Sequence, residues 1–330
     1  MAWTRPRAGL WRVLPAAPLA PRVAHTMIAA GDRVAVWGGF DVLGLPLTDG
    51  GLFDPQDGTW RRLPATDIDD GTVTRAVSAG RDLVIVSADV THRFDVDGGA
   101  WTTLPAPPLA REDVLTDQVV GGGGHVVTVA LARGAVGTTP TVAVLDVDAA
   151  SWRRLPDPPV RFAPGDLVAT DGARVMIATR AAQSRGALAT LDLDRRPPRW
   201  ARPPAPALLD DPTSVRILGA VEGDGLVVTA VGPPGGTSAA AVLDGTRWRD
   251  APPPPLALSR QVDGLWTGRG LLVWNRLTAS GAYLDVASRR WERLPPAPIA
   301  PGPPRPAVWT GSSVLTWGGF DPAGALYRRR

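Results

Sequence analysis

Seven tryptophans recur along the chain at Trp11, Trp60, Trp101, Trp152, Trp200, Trp248 and Trp291, each followed within a few residues by Leu-Pro or Pro-Pro. Successive separations are 49, 41, 51, 48, 48 and 43 residues. A period of roughly 40 to 50 belongs to four-stranded units that bury their faces only by stacking on copies of themselves. One repeat family running from Trp11 to Tyr327 therefore makes one closed body of the 330 residues.

Within the first repeat, His25-Thr-Met-Ile-Ala-Ala reads as a strand, Gly31-Asp32 as a turn, and Val34-Ala-Val-Trp-Gly-Gly as a second strand. After a long loop, Gly51-Leu-Phe-Asp54 is a third strand. The turn Pro55-Gln-Asp-Gly58 leads into a fourth, Thr59 to Leu63, which Pro64 stops. The other copies keep this grammar, with β-branched second strands such as Leu83-Val-Ile-Val86 and Val126-Val-Thr-Val129, each preceded by a glycine turn. The run Gly121 to Gly124 is one of these turns, a loose hairpin rather than a phosphate cradle, because no helix follows it.

Third strands end in a hydrophobe followed by Asp six times: Asp54, Asp95, Asp146, Asp192, Asp244 and Asp285. Six equivalent carboxylates look like a ligand set. Asp at the first position of a turn also hydrogen-bonds the backbone two residues on, and that local role accounts for all six.

The last repeat ends after its third strand at Leu326-Tyr327, one strand short. Leu10-Trp-Arg-Val-Leu14 precedes any first strand and has no repeat of its own, so it supplies the missing one. The expectation is an all-β, seven-bladed β-propeller, the last blade closed by the N-terminal strand. Blades fall at about 21–64, 65–105, 106–156, 157–204, 205–252, 253–295, and 296–330 with 9–15.

Trp37-Gly38-Gly39 ends a second strand, Phe53 sits on the third and Trp60 on the fourth; Trp317-Gly318-Gly319 repeats the first of these signals. Phe53 to Trp60, Phe94 to Trp101, Leu145 to Trp152 and Leu284 to Trp291 each span seven positions. This pattern resembles the kelch repeat. The double glycine survives in two blades only, and leucine replaces the third-strand aromatic in blades three to six. Kelch propellers include galactose oxidase, whose copper site needs a cysteine and tyrosines. This chain has no cysteine and its tyrosines are Tyr283 and Tyr327, so the resemblance implies that fold without that site.

Cysteine's absence removes disulfides, thiolate metal sites and cysteine nucleophiles. All 35 basic residues are arginine against 32 acids, a net charge of +3, which gives nucleic-acid binding little support. No run approaches the roughly 18 apolar residues of a membrane span. Pro6, Pro15 and Pro18 break any signal-peptide core, so a soluble, cytoplasmic monomer is expected unless the true start lies upstream. His25, His92 and His125 occupy different strand positions, so no metal site and no cofactor are expected.

Arg22, Arg111, Arg161, Arg260 and Arg305 each end the proline-rich segment leading into an inner strand. Placed around a channel mouth, guanidinium forks suit carboxylate, phosphate or sulfate groups. The opposing reading is that each pairs locally with acids such as Asp113, Asp166 or Asp263. His25, in the Arg22-Val-Ala-His25 opening that resembles kelch first strands, joins the same set. The longest and most varied loops share this face, as loop-borne binding sites do. The functional expectation is a non-catalytic kelch-type binding module for a protein or glycan, an anionic one included, contacted by Arg22, His25, Arg111, Arg161, Arg260 and Arg305. The alternative is a carbohydrate-acting kelch enzyme, a sugar mutarotase or epimerase. A channel-mouth carboxylate of strongly perturbed pKa beside an arginine and a histidine would favour that enzyme.

Overall fold

A computed structural model describes residues 3, 7–68, 75–109, 113–132, 138–180, 185–222, 225–233, 236, 238–244, 246–258, 260–300, 302–320 and 322–329. It contains seven four-stranded antiparallel sheets. Blade one comprises Thr26–Ala30, Arg33–Trp37, Gly50–Asp54 and Thr59–Arg62. Blade seven comprises Ala307–Trp309, Ser313–Gly318 and Ala323–Arg328, and its outer strand is the N-terminal Trp11–Val13. Trp11, Arg12 and Val13 pair with Tyr327, Leu326 and Ala325, which is the closure read from the sequence. Each inner strand touches that of the next blade, and blade seven's touches blade one's, so the ring is sealed.

Second strands are covered on both sides by neighbouring blades, and their residues are buried without alternation: Asp82–Val86, Gly270–Asn275 and Ser313–Gly318 are buried throughout. The core therefore lies between blades. One such layer joins Leu14 and Leu19 to Val34 and Phe53 of blade one and to Leu315, Trp317 and Leu326 of blade seven. Outer strands are largely exposed, and in Thr59–Arg62 and Arg290–Arg293 the tryptophan alone is half buried.

The repeating tryptophans stitch the rim. Each indole N–H donates to the carbonyl of the proline four residues after the preceding tryptophan: Trp60 to Pro15, Trp101 to Pro64, Trp152 to Pro105 and Trp200 to Pro156. Trp248 donates to Pro204, Trp291 to Pro252, and Trp11 closes the circle on Pro295. Proline lacks an N–H and stops the outer strand, and its carbonyl serves the next blade. The seven-residue spacing is equally direct, since Phe53 stands opposite Trp60 and Phe94 opposite Trp101 in their hairpins.

Five of the six third-strand aspartates serve their turns. Asp54 accepts from Gln56 N, Asp95 from Asp97 N and Gly98 N, Asp146 from Ala149 N, Asp192 from Asp194 N, and Asp285 from Ser288. Asp244 instead pairs with Arg249 at 3.0 Å. The glycine run makes a tight hairpin, Gly122 opposite His125, because it presses on blade four: a Cβ on Gly122 would stand 2.9 Å from the Gly172 nitrogen. Trp3 packs edge-on against Phe53 of blade one and covers Gly58. Among the described residues no helix is long and apolar enough to cross a membrane.

Candidate functional site

Two faces offer sites: the loop face, bearing the second-to-third-strand loops and the blade connections, and the hairpin face, bearing the first-to-second-strand turns. On the loop face the predicted arginines divide. Arg22 is fully buried; its guanidinium donates to the carbonyls of Ala20, Gly38 and Asp49 and, at 2.7 Å, to the Asp49 carboxylate. Arg305 is also buried, donating to the carbonyls of Gly318 and Ala300. Both are clamps for the double-glycine turns of blades one and seven. Arg161 and Arg260 are exposed, and neither guanidinium has a partner among the described residues. Arg111 lies outside the described residues.

His25 is buried beneath the blade-seven turn. Its Nε2 donates to the Trp317 carbonyl at 3.1 Å, its ring meets the Trp317 indole edge-on, and Nδ1 has no hydrogen-bond partner. Burial, reinforced by the charge of Arg22, lowers its pKa from 6.5 to about 3, so the ring is neutral at physiological pH. Gly318 is what lets the ring in: a Cβ there would lie 2.1 Å from His25 Cε1, and the residue sits at φ +116°. His92 and His125 belong to the strands Thr91–Asp95 and His125–Ala132 of blades two and three, so the three imidazoles do not converge.

Asp166 and Asp263 do take arginine partners, though not the arginines that end their own connecting segments. Asp166 accepts from Arg180 at 3.2 Å, and Asp263 chelates Arg276 through both oxygens. In each case the arginine follows the second strand of the same blade. Burial raises the Asp166 pKa against the pull of two backbone N–H groups and Arg180. That perturbed carboxylate has an arginine beside it, but the histidines belong to blades one to three while Asp166 opens blade four.

Around these clamps the loop face carries apolar side chains in ordered backbone. Arg22 bridges Gly319, Val23 bridges Phe40, and Phe40 bridges Pro46, a small antiparallel patch across blades seven and one. Asp41 Oδ1 accepts from Leu43 N and Leu45 N, fixing the tip of the loop. On this scaffold Phe40, Val42, Leu45 and Phe320 are exposed, and Leu43 is 78% exposed. Sequence reasoning picked out the loop for its length and missed its apolar character, which Asp41-Val-Leu-Gly-Leu-Pro46 displays openly.

A cavity of about 540 Å³ runs from mid-channel to the hairpin face. One tier of its wall consists of the residues opposite the second position of each second strand. Ala29, Ser78, Gly121 and Thr170 are small, and Val221 is intermediate. Blades six and seven instead supply Trp266 and Trp309. The Trp266 indole N–H donates to the Glu222 carboxylate of blade five. These tryptophans fall outside the period of the rim, and the signal that marks them is the tripeptide Trp-Thr-Gly, present at Trp266 and again 43 residues later at Trp309.

The ring, its closure and its channel define a seven-bladed β-propeller. Its likeness to solved propeller structures is distant. The solved structure of YjhT aligns with a TM-score of 0.52 at 13% identity, over 93% of this chain and 97% of that one, a likeness of fold alone. No protein-family model and no curated protein sequence matches the chain.

Proposed function

We propose that this propeller is a non-catalytic binding module of kelch type that holds a partner protein on its loop face. One observation carries the reading: large apolar side chains at Phe40, Val42, Leu43, Leu45 and Phe320 are exposed on backbone that bridges and Asp41 hold in place. Solvated apolar groups on an ordered loop lose free energy until something covers them, and such patches mark protein contacts. A rigid patch also binds without the entropy of ordering it. The exposed guanidiniums of Arg161 and Arg260, in connections on the same face, suit acidic groups at the edge of the partner. A glycan would leave Leu43 and Val42 uncovered, so a protein is the favoured occupant.

The test is affinity capture from the native host with wild-type bait beside a Leu43→Asp, Phe320→Ser double variant. Partners that vanish with the variant, at unchanged melting temperature, support the reading. Partners retained in equal amount by both baits overturn it.

A further inference from the structure

Two arginines from neighbouring blades converge on one carbonyl at the outer rim. Arg153 of blade three, next to the rim tryptophan Trp152, donates through Nη2 to the Leu193 carbonyl of blade four at 3.1 Å, and Arg196 donates through Nη1 to the same oxygen at 2.6 Å. Leu193 N in turn donates to the Ala173 carbonyl of the first-to-second-strand turn at 2.8 Å, which places the pair at the edge of the hairpin face. The matching carbonyl of blade two, that of Val96, takes Arg61 and Arg33 in the same way at 2.7 and 3.2 Å. There the pair is neutralised, since Arg33 meets Asp54 at 3.6 Å and Asp97 at 3.8 Å. At Leu193 neither guanidinium forms an ion pair with a carboxylate among the described residues, and both give hydrogen bonds to carbonyls alone. Burial, and then the charge of Arg196, push the Arg153 pKa down, while Asp146 and Asp194 pull the other way from beyond ion-pair distance. The surrounding turn adds to the positive charge: residues 192–202 hold Arg195, Arg196, Arg199 and Arg202 against Asp192 and Asp194, and all four arginines are exposed.

We propose that Arg153 and Arg196 hold a phosphate monoester at the rim between blades three and four. Each guanidinium gives one nitrogen to the Leu193 carbonyl and keeps its Nε and other Nη without a protein acceptor among the described residues. Such forks match the spacing of phosphate oxygens and bind them in pairs. A phosphate monoester brings a charge of about −1.5 to −2 near neutral pH and three strong acceptor oxygens, so it balances two guanidiniums, whereas a carboxylate brings a single charge. Both arginines are already tethered to a carbonyl before a ligand arrives, so little side-chain freedom is lost on binding. The turn beneath them is fixed as well, because Asp194 N donates to the Asp192 carboxylate at 2.9 Å. Arg195 and Arg199 raise the local positive potential and draw anions towards the pair. The phosphate's carrier is either a small phosphorylated metabolite or a phosphoserine of another protein, and both present the same head.

Isothermal titration of the full chain at low ionic strength tests this with free O-phosphoserine and with a short peptide carrying either phosphoserine or serine. The phosphopeptide is expected to bind at least about tenfold more tightly than its serine counterpart, the phosphate being the difference. Arg196→Gln, a change at an exposed side chain, should weaken binding about tenfold, and combining it with Arg153→Gln should abolish it. Arg196→Lys keeps the charge but loses the fork, and should weaken binding several-fold. Arg290→Gln removes the same charge from an exposed position on the rim of blade six and should leave binding unchanged. A peptide that outbinds O-phosphoserine identifies a protein side chain as the carrier, and the converse a free metabolite; either supports the site. Equal binding of the two peptides, equal losses in Arg290→Gln and Arg196→Gln, or no heat from either phosphate ligand at concentrations of tens of millimolar would overturn it. The pair lies on the face away from Leu43 and Phe320, so this site and the protein-docking face fail or stand separately.

Discussion

Trp11 of the N-terminal strand stands directly opposite Tyr327 of the C-terminal one, their ring centroids 5.2 Å apart. The same indole reaches across to the Pro295 carbonyl at 2.8 Å, so one residue both completes blade seven and ties it to blade six. Deleting residues 1–16 exposes the edge of Ala323–Arg328, removes the buried Leu14 and strips that tie. Losing the burial of Leu14 and Trp11 alone is worth about 4 kcal/mol. Thermal denaturation should show a sharply lower melting temperature; an unchanged one would refute closure by the N-terminal strand.

The rim hydrogen bonds are exposed, so each is a modest contributor. Trp152→Phe keeps most of the apolar contact but leaves the Pro105 carbonyl to water, and should lower stability by about 1 kcal/mol. Trp152→Ala also empties the packing against the layer between blades two and three, where Leu145 stands opposite Trp152, and should lose about 3 kcal/mol. Chemical denaturation of the two variants separates donor from packing; equal losses would mean the packing contributes nothing beyond what phenylalanine also loses, and an unchanged Trp152→Phe would mean the indole N–H contributes nothing.

Arg22 and Arg161 occupy the same place in their repeats, yet the structure gives them opposite environments. Arg22→Ala would strand the Gly38 and Asp49 carbonyls and the Asp49 carboxylate around an emptied site, and should destabilise by about 3 kcal/mol. Arg161→Ala, with an exposed and unpaired side chain, should change stability by less than about 0.5 kcal/mol. Equilibrium unfolding of both variants checks this. Similar losses would contradict the division into clamps and surface groups.

That division marks where the sequence stops being legible. The ring, its blade count and its closure follow from the tryptophan period and from one missing strand, and the aspartate turns from local hydrogen bonding. Burial of Arg22 does not, because its acceptors are carbonyls of the Gly38 turn and of Asp49, brought together only by the folded blade. Blade four lacks the double glycine, and there Arg180 fills the clamp while Arg161 stays in solvent. Trp266 and Trp309 were hidden for another reason: seven rim tryptophans dominate the period, and inner-strand residues become a tier only when register is known. The rim bonds show the same limit, since the spacing from tryptophan to proline is visible but the donor comes from the next blade.

His25 gives the fold a pH dependence whose sign is fixed by its burial. The unfolded imidazole takes up a proton as pH falls through 6.5, while the folded one resists until about 3. Between those values the unfolded state binds more protons, so stability falls as pH falls, by up to about 1.4 kcal/mol per pH unit. Above pH 6.5 the effect is absent. His25→Gln removes the titrating group, so its stability should decline less than that of the wild type between pH 6.5 and 4.5, the carboxylates being common to both proteins. Parallel slopes for the two proteins would show that His25 does not carry the effect.

The double glycine at Gly318-Gly319 can be assigned to its neighbour rather than to turn formation alone. Gly318 lies at φ +116°, where any L side chain is strained, and its would-be Cβ falls on His25 Cε1. Backbone strain in Gly318→Ala accounts for about 1–2 kcal/mol, and displacing a buried, hydrogen-bonded imidazole for about as much again. Only the second part depends on His25. In a His25→Ala background the collision is gone, so Gly318→Ala should then lose only the strain, leaving a coupling energy of about 1–2 kcal/mol in a double-mutant cycle. Turn geometry alone predicts that the two losses add. Additivity within about 0.3 kcal/mol would therefore show that the imidazole does not impose the glycine.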